Sequence, residues 1–326
     1  MIERNLFIDL LKIIAIIMVI TCHTSDFLTI DAIAVPLFLV ITGYNYSASM
    51  DKKQFSIKSY YRPINLWNKF RRVIFPFLCL IVAEIIILII RHKIDIIIFL
   101  RLLISGGAGA GSYYTLLIFQ IIFLYPFINF LIKKHKLYIF LFFITTFLFE
   151  IIINFACPET EVVNEIYRIS IFRQVFYLAC GGYIYYYKRK IENIVSTLFL
   201  IIGFLFYLLL DVGVYKPVIF KLWVGTTLPF GLLAISIVYI FVKCINIPHQ
   251  FKPIIVFSNA TYHIFLTQQI FFWLYNNYYT FEYFSPLMNI LICSITGICF
   301  YLIQTEIIKL FKNRKQKNQL QTMLIK

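Results

Sequence analysis

Residues 73–90 read Val73-Ile74-Phe75-Pro76-Phe77-Leu78-Cys79-Leu80-Ile81-Val82-Ala83-Glu84-Ile85-Ile86-Ile87-Leu88-Ile89-Ile90, an apolar run interrupted by a single ionisable side chain, Glu84. A helix needs about 20 mostly apolar residues to cross the hydrocarbon core of a bilayer, and this stretch is of that length. Nine more runs of the same kind lie on either side of it, at 7–25, 32–50, 113–132, 137–155, 169–187, 193–211, 218–242, 254–276 and 285–308. The composition agrees: 61% of the 326 residues are apolar, 14% are charged, and mean hydropathy is +0.85. A soluble domain averages roughly 45–50% apolar and about 25% charged residues. A water-soluble enzyme and a disordered tail are thereby excluded. The net charge of +15 does not indicate a nucleic-acid partner, because the cations sit in short clusters between apolar runs and not on the basic face of a soluble body.

Those clusters set an orientation. With the N-terminus inside, 22 of the 30 basic residues fall in cytoplasmic segments. They include the seven from Lys52 to Arg72, then Lys133, Lys134 and Lys136, and six from Lys309 to Lys326. Every cytoplasmic connection is basic, as the positive-inside rule requires. The acidic Glu159, Glu161, Glu165 and Glu282 fall outside. The expected fold is an all-α, polytopic transmembrane helical bundle of about ten spans with both termini cytoplasmic, followed by a basic tail at 313–326. The first run contains Lys12 and lacks an A-x-A site, so it is expected to stay attached. Segment 91–112, with Gly106-Gly107-Ala108-Gly109-Ala110-Gly111, is too short and too glycine-rich to cross and reads as re-entrant or surface-lying. Seven cysteines are scattered singly, mostly inside apolar runs, which indicates neither a disulfide framework nor a zinc site. P-loop, GxSxG and HExxH patterns are absent, so no ATPase, soluble-type hydrolase or zinc protease is indicated.

Chemistry must then come from polar residues within the spans or at their mouths, where each ionisable group is a functional candidate. Lys12 and His23 are eleven residues apart. At 100° and 1.5 Å per residue they return to within about 20° of one face and stand about 16 Å apart along it. Either Lys12 snorkels inward while His23 hydrogen-bonds at the outer interface, or the two share one functional groove. Asp9, one turn before Lys12, is placed to hold it. Asp26, three residues after His23, is placed to orient an imidazole. Lys69, Arg71 and Arg72 crowd the inner mouth of the third span and suit either phosphates or anionic lipid. Glu84 in the third span and Gln120 in the fourth either line a polar cavity or, for Glu84, pair with a cation such as Lys12. Arg173 opens the sixth span near the outer level inferred for His23, where it suits an acidic substrate group or the interface. His263 reads as a structural hydrogen-bonder.

The opening Arg4-Asn5-Leu6-Phe7-Ile8-Asp9-Leu10-Leu11-Lys12, running on to His23, resembles the integral-membrane acyltransferase 3 family, whose first span carries a basic residue, ten residues and then His. Val35-Pro36-Leu37-Phe38-Leu39-Val40-Ile41-Thr42-Gly43-Tyr44 resembles that family's VPLFFxxSGY segment, and Lys69-Phe70-Arg71-Arg72 to Pro76 its K/R-x-x-R-x-x-x-P entry. Tyr113-Tyr114 to Tyr125-Pro126, Arg173 to Gly181-Gly182, and Thr261-Tyr262-His263-Ile264-Phe265-Leu266 are similar to further segments in the same order. Two positions depart from the pattern. Lys12 stands where the family usually has Arg, which keeps the charge and loses the bidentate fork. Gln268 stands where a His commonly ends the sixth motif.

The resemblance implies an acyltransferase domain over 1–312. It implies transfer of an acyl group, most often acetyl from acetyl-CoA, to a hydroxyl of a surface or secreted glycan. On that reading Lys69, Arg71, Arg72 and Lys12 hold the CoA phosphates. The pantetheine arm climbs the first span to His23, which acts with Asp26, and no metal is needed. Glu84, Gln120 and Arg173 are weaker candidates for binding substrate. Membrane lipid, acyl-CoA and the glycan are the expected partners, and a bacterial cytoplasmic membrane is the expected location. The alternative from another class is a transporter of polysaccharide or lipid-linked glycan.

Overall fold

A computed structural model describes residues 4–23, 33–91, 102–109, 111–157, 160–187, 193–211, 227–244, 247–278 and 285–324. Asp26, most of segment 91–101 and the start of the eighth apolar run lie outside the described residues. Each of the ten runs carries a helix. These are α1 (Leu6–Thr21), α2 (Ala34–Lys52), α4 (Pro63–Ile90), α5 (Tyr113–Lys134), α6 (Tyr138–Ile151), α8 (Ile171–Tyr187), α9 (Asn193–Asp211), α10 (Leu228–Cys244), α11 (Lys252–Tyr278) and α12 (Pro286–Leu324). Two short helices, α3 (Ile57–Tyr60) and α7 (Glu161–Ile169), lie between them. Local chemistry sets their starts. Asn5 caps α1 by accepting from the Phe7 N–H at 2.9 Å, and Thr160 caps α7 through the Val163 N–H at 3.2 Å. Pro63 opens α4, where its missing N–H costs nothing.

Among the described residues, α4, α5, α6 with its π-helical extension to Ala156, α9 and α12 are long and apolar enough to cross a membrane. Helices α1 and α8 are shorter, at 16 and 17 residues. Helices α2 and α11 are long but diluted by polar residues, such as Asn45 and Ser47 in the first and Asn259, His263, Gln268 and Gln269 in the second. This division follows position. Val82, Ile86 and Ile90 of α4 and Leu198, Ile202 and Leu205 of α9 are exposed, while α8 is buried over most of its length. The polar helices are the inner ones.

Helices α2 and α8 pack closely against each other. A Cβ on Gly43 would meet the Leu178 carbonyl oxygen at 2.1 Å, and one on Gly181 the Val40 oxygen at 2.0 Å. Small residues let membrane helices approach this closely. Around this pair one core cluster joins α1, α2, α5, α8 and α10, and a second joins α1, α4, α11 and α12. Met18, Phe38 and Tyr114 pack against both, so a seam runs between the two halves. The two-residue strands β1 (Arg4–Asn5) and β2 (Pro248–His249) pair antiparallel, tying the start of α1 to the start of α11. Segments that the charge pattern puts on one side meet one another: Lys133 lies 2.8 Å from Asp51, and Lys243 bonds Asn193 at 2.5 Å.

Candidate active site

Helix α1 presents Asp9, Lys12 and, just beyond its last turn, His23 to α11. Ser258 donates to Asp9 at 2.6 Å, and Asp9 lies 3.6 Å from the Lys12 ammonium, so the buried carboxylate holds the cation that the i, i+3 spacing assigned to it. The His23 ring packs on Phe272 with centroids 5.4 Å apart. From Ser258 to Phe272 along α11 is about 21 Å, and the two helices climb in step.

Between these two contacts, at the seam of the cores, lies a cavity of about 740 Å³. This is the size of a ligand site. Lys12, Arg72 and Lys309 line it, together with Tyr46, Asn259, His263 and Gln304, and none of its lining residues is acidic. Arg72 and Lys309 stand at its inner mouth, and Tyr114 and Phe265 close its far end with rings 4.9 Å apart. Lys69 reaches the same mouth through aromatic faces: its ammonium lies 4.8 Å from the Tyr46 ring centre and 4.4 Å from that of Tyr60. Burial pushes the Tyr60 hydroxyl well above its ordinary range, so the ring stays neutral beneath the cation. The neighbouring Arg71 is turned away. It stands on the exposed row of Phe75, Leu78 and Val82 and does not line the cavity.

Beyond Tyr114 and Phe265 the glycine-rich segment folds inward. Gly106, Gly107 and Gly111 take positive φ angles of 83°, 119° and 82°, a region side chains rarely adopt. A Cβ on Gly109 would strike the Gln269 carbonyl oxygen at 2.3 Å. The segment therefore lies against the middle of α11, as a re-entrant loop does. Its Ala108 N–H donates to both oxygens of Glu84, at 3.1 and 3.3 Å, and Glu84 has no ion pair among the described residues. The side chains of Gln268 and Gln269 are fully buried with no hydrogen-bond partner among the described residues, and both face this loop, Gln268 at Gly111 and Gln269 at Gly107. The order along α11 is thus cationic cavity, aromatic pair, glycine loop with buried amides, and His23 on Phe272.

The remaining candidates sit elsewhere. Gln120 bridges the break between α7 and α8, donating to the Ile169 carbonyl at 2.8 Å and accepting from the Ile171 N–H at 3.1 Å. Arg173 is completely buried, 3.5 Å from Glu150 and stacked 4.0 Å over the Tyr167 ring. Tyr167 donates to Glu150 at 2.7 Å, and burial drives its hydroxyl up, keeping it a neutral donor. The sequence reading passed over Tyr46, Lys309 and Glu150, which lie far along the chain from the residues they join. His263 hydrogen-bonds Gln304 through Nε2, and its ring also forms part of the cavity wall. Asp26 lies outside the described residues. No group of metal-ligating side chains is present among the described residues.

No curated protein and no solved structure matches the chain. The model of the acyltransferase-domain family Acyl_transf_3 matches residues 5–313. That span includes the α1–α11 face, the cationic cavity and the glycine loop together, and with it this multi-pass membrane protein belongs to the acyltransferase 3 family and is an acyltransferase.

Proposed function

We propose that the protein moves an acyl group, acetyl above all, from cytosolic acyl-CoA to a hydroxyl of a cell-surface glycan in a bacterial cytoplasmic membrane. The observation that carries this reading is the cationic cavity that opens at Arg72 and Lys309, the latter also paired with Glu306 at 2.6 Å, and runs along α11 toward the level of His23. Phosphates suit its mouth, because charge-assisted hydrogen bonds from Arg and Lys to phosphate are among the strongest available. Arg72 supplies a planar fork, Lys12, Lys69 and Lys309 supply point charges, and Asp9 keeps Lys12 from swinging away. The polar wall of Asn259, Thr261 and Gln304 suits the amides of a pantetheine arm.

About 10 Å along α11 beyond the Tyr114–Phe265 pair, His23 accepts the proton of the attacking hydroxyl as its oxygen bonds to the thioester carbonyl carbon. When the carbon–sulfur bond breaks, His23 returns that proton to the departing thiolate. Asp26 orients the imidazole in this scheme. Gln268 and Gln269 lie about one turn below Phe272 on α11, and Glu84 meets Gln269 at Gly107, in reach of the acyl end rather than the phosphates.

The test is transfer from radiolabelled acetyl-CoA, added to the cytoplasmic face of inverted membrane vesicles that contain a glycan acceptor. Label enters glycan with the wild type and not with His23→Ala. Absence of CoA-dependent transfer, with acceptor shown to be present, favours a glycan transporter instead.

A further inference from the structure

A second cavity, about 640 Å³ in volume, lies on the far side of α8 from the candidate active site. Helix α6 packs on α8 and helix α9 packs on α10, and the space between these two pairs is a crevice. Its floor is Phe176, Cys180 and Ile184 of α8, and its walls include Phe143 of α6 and Phe199 of α9. On α8 its lining runs from Phe176 to Ile184, about 12 Å, which fits within one leaflet of the roughly 30 Å hydrocarbon thickness of a bilayer. The crevice is almost wholly apolar.

Its mouth is cationic. Lys136 lines it directly and has no ion pair among the described residues. Tyr239, on the opposite wall, holds the Lys243 ammonium at 2.6 Å. Both lysines belong to connections that the charge pattern places on the cytoplasmic side. Basic pockets between membrane helices on that side recognise anionic lipid headgroups.

We infer that the crevice is a binding site for an anionic glycerophospholipid of the cytoplasmic leaflet. One acyl chain lies along Phe176, Cys180 and Ile184, and the phosphate lies at the mouth formed by Lys136 and Lys243. A zwitterionic lipid fits the apolar part equally well and gains less at the mouth, so selectivity resides in the two lysines and capacity in the crevice. The inference does not depend on the reaction catalysed.

The test uses the full-length protein in nanodiscs made from equal parts phosphatidylglycerol and phosphatidylcholine with identical acyl chains, released into native mass spectrometry. Wild type retains phosphatidylglycerol over phosphatidylcholine by about tenfold, as two cations near the membrane surface permit. The double variant Lys136→Gln/Lys243→Gln, changed only at exposed positions, loses that preference. Ser196→Phe, which fills the wall of the crevice, lowers retention of both lipids, and a thermal melt identifies a misfolded variant. Equal retention of the two lipids by the wild type, or a preference that survives the double variant, overturns the inference.

Discussion

The Arg173 guanidinium lies 3.5 Å from the Glu150 carboxylate, and neither side chain reaches solvent. Tyr167, from the short helix α7, closes the cluster by hydrogen-bonding Glu150 and stacking under Arg173. Three helices, α6, α7 and α8, are bolted together at this point. Breaking such a pair from one side leaves an uncompensated buried charge, which costs about 3–5 kcal/mol. Arg173→Ala is therefore expected to melt well below wild type in detergent. The double variant Arg173→Met/Glu150→Gln is expected to recover much of the loss. Additive losses in a double-mutant cycle would show that the two groups do not act as a pair.

At the inner mouth, neighbouring arginines are expected to behave differently. Arg72 lines the cavity and Arg71 does not. Arg72→Ala should raise the KM for acyl-CoA by about tenfold or more, since a hydrogen bond to a charged group is worth about 1.5–3 kcal/mol. Arg71→Ala should change it less than about twofold, as an exposed cation does. Lys309→Ala should follow Arg72→Ala. Steady-state kinetics with the acceptor saturating separates these cases, and equal effects at 71 and 72 would place the phosphates elsewhere.

The ring contact between His23 and Phe272 makes a separate claim. His23→Ala removes the proposed base, and general-base catalysis is worth about 10²–10⁴-fold. Phe272→Ala leaves the base and frees its ring. A contact of this kind contributes about 0.5–1.5 kcal/mol, so kcat should fall by no more than about tenfold, with the KM for acyl-CoA unchanged. A loss at Phe272 as large as that at His23 would mean that the aromatic ring has a role beyond positioning.

For the glycine loop, Gly109→Ala and Ala108→Gly are expected to diverge. The first drives a methyl group into the Gln269 backbone and costs about 1–3 kcal/mol, as overpacking does. The second keeps the N–H that Glu84 accepts and should melt within about 1 kcal/mol of wild type. Thermal unfolding of the two variants decides the matter, and a Gly109→Ala protein as stable as Ala108→Gly would show that the loop does not lie against α11.

Helix positions were legible because each apolar run is local and its length is set by the bilayer. The ends were less so. Helix α4 begins at Pro63, ten residues before its apolar run, because Pro63 favours a helix start and nothing stops the helix before Ile90. That Lys12 and His23, the latter just past the end of α1, point to one side could be read from periodicity alone. What separates Arg71 from Arg72 is 100° of helix rotation relative to neighbours that only packing reveals. Glu84 meets Ala108 across 24 residues, and Arg173 meets Glu150 across a segment that includes the whole of α7. Neither pairing has a sequence pattern, because the partner of a buried charge is chosen by tertiary contact.

Asp9 and its hydrogen-bond donor Ser258 are 249 residues apart, and this separation bears on how the protein is made. At about 5–20 residues per second of synthesis, the first helix waits on the order of ten to fifty seconds before the helix that completes its polar face emerges from the ribosome. During that interval Asp9 has a neighbour one turn away, the Lys12 ammonium. The adjacent pair therefore acts as a provisional neutraliser, letting a helix with two charged residues rest in lipid until α11 arrives.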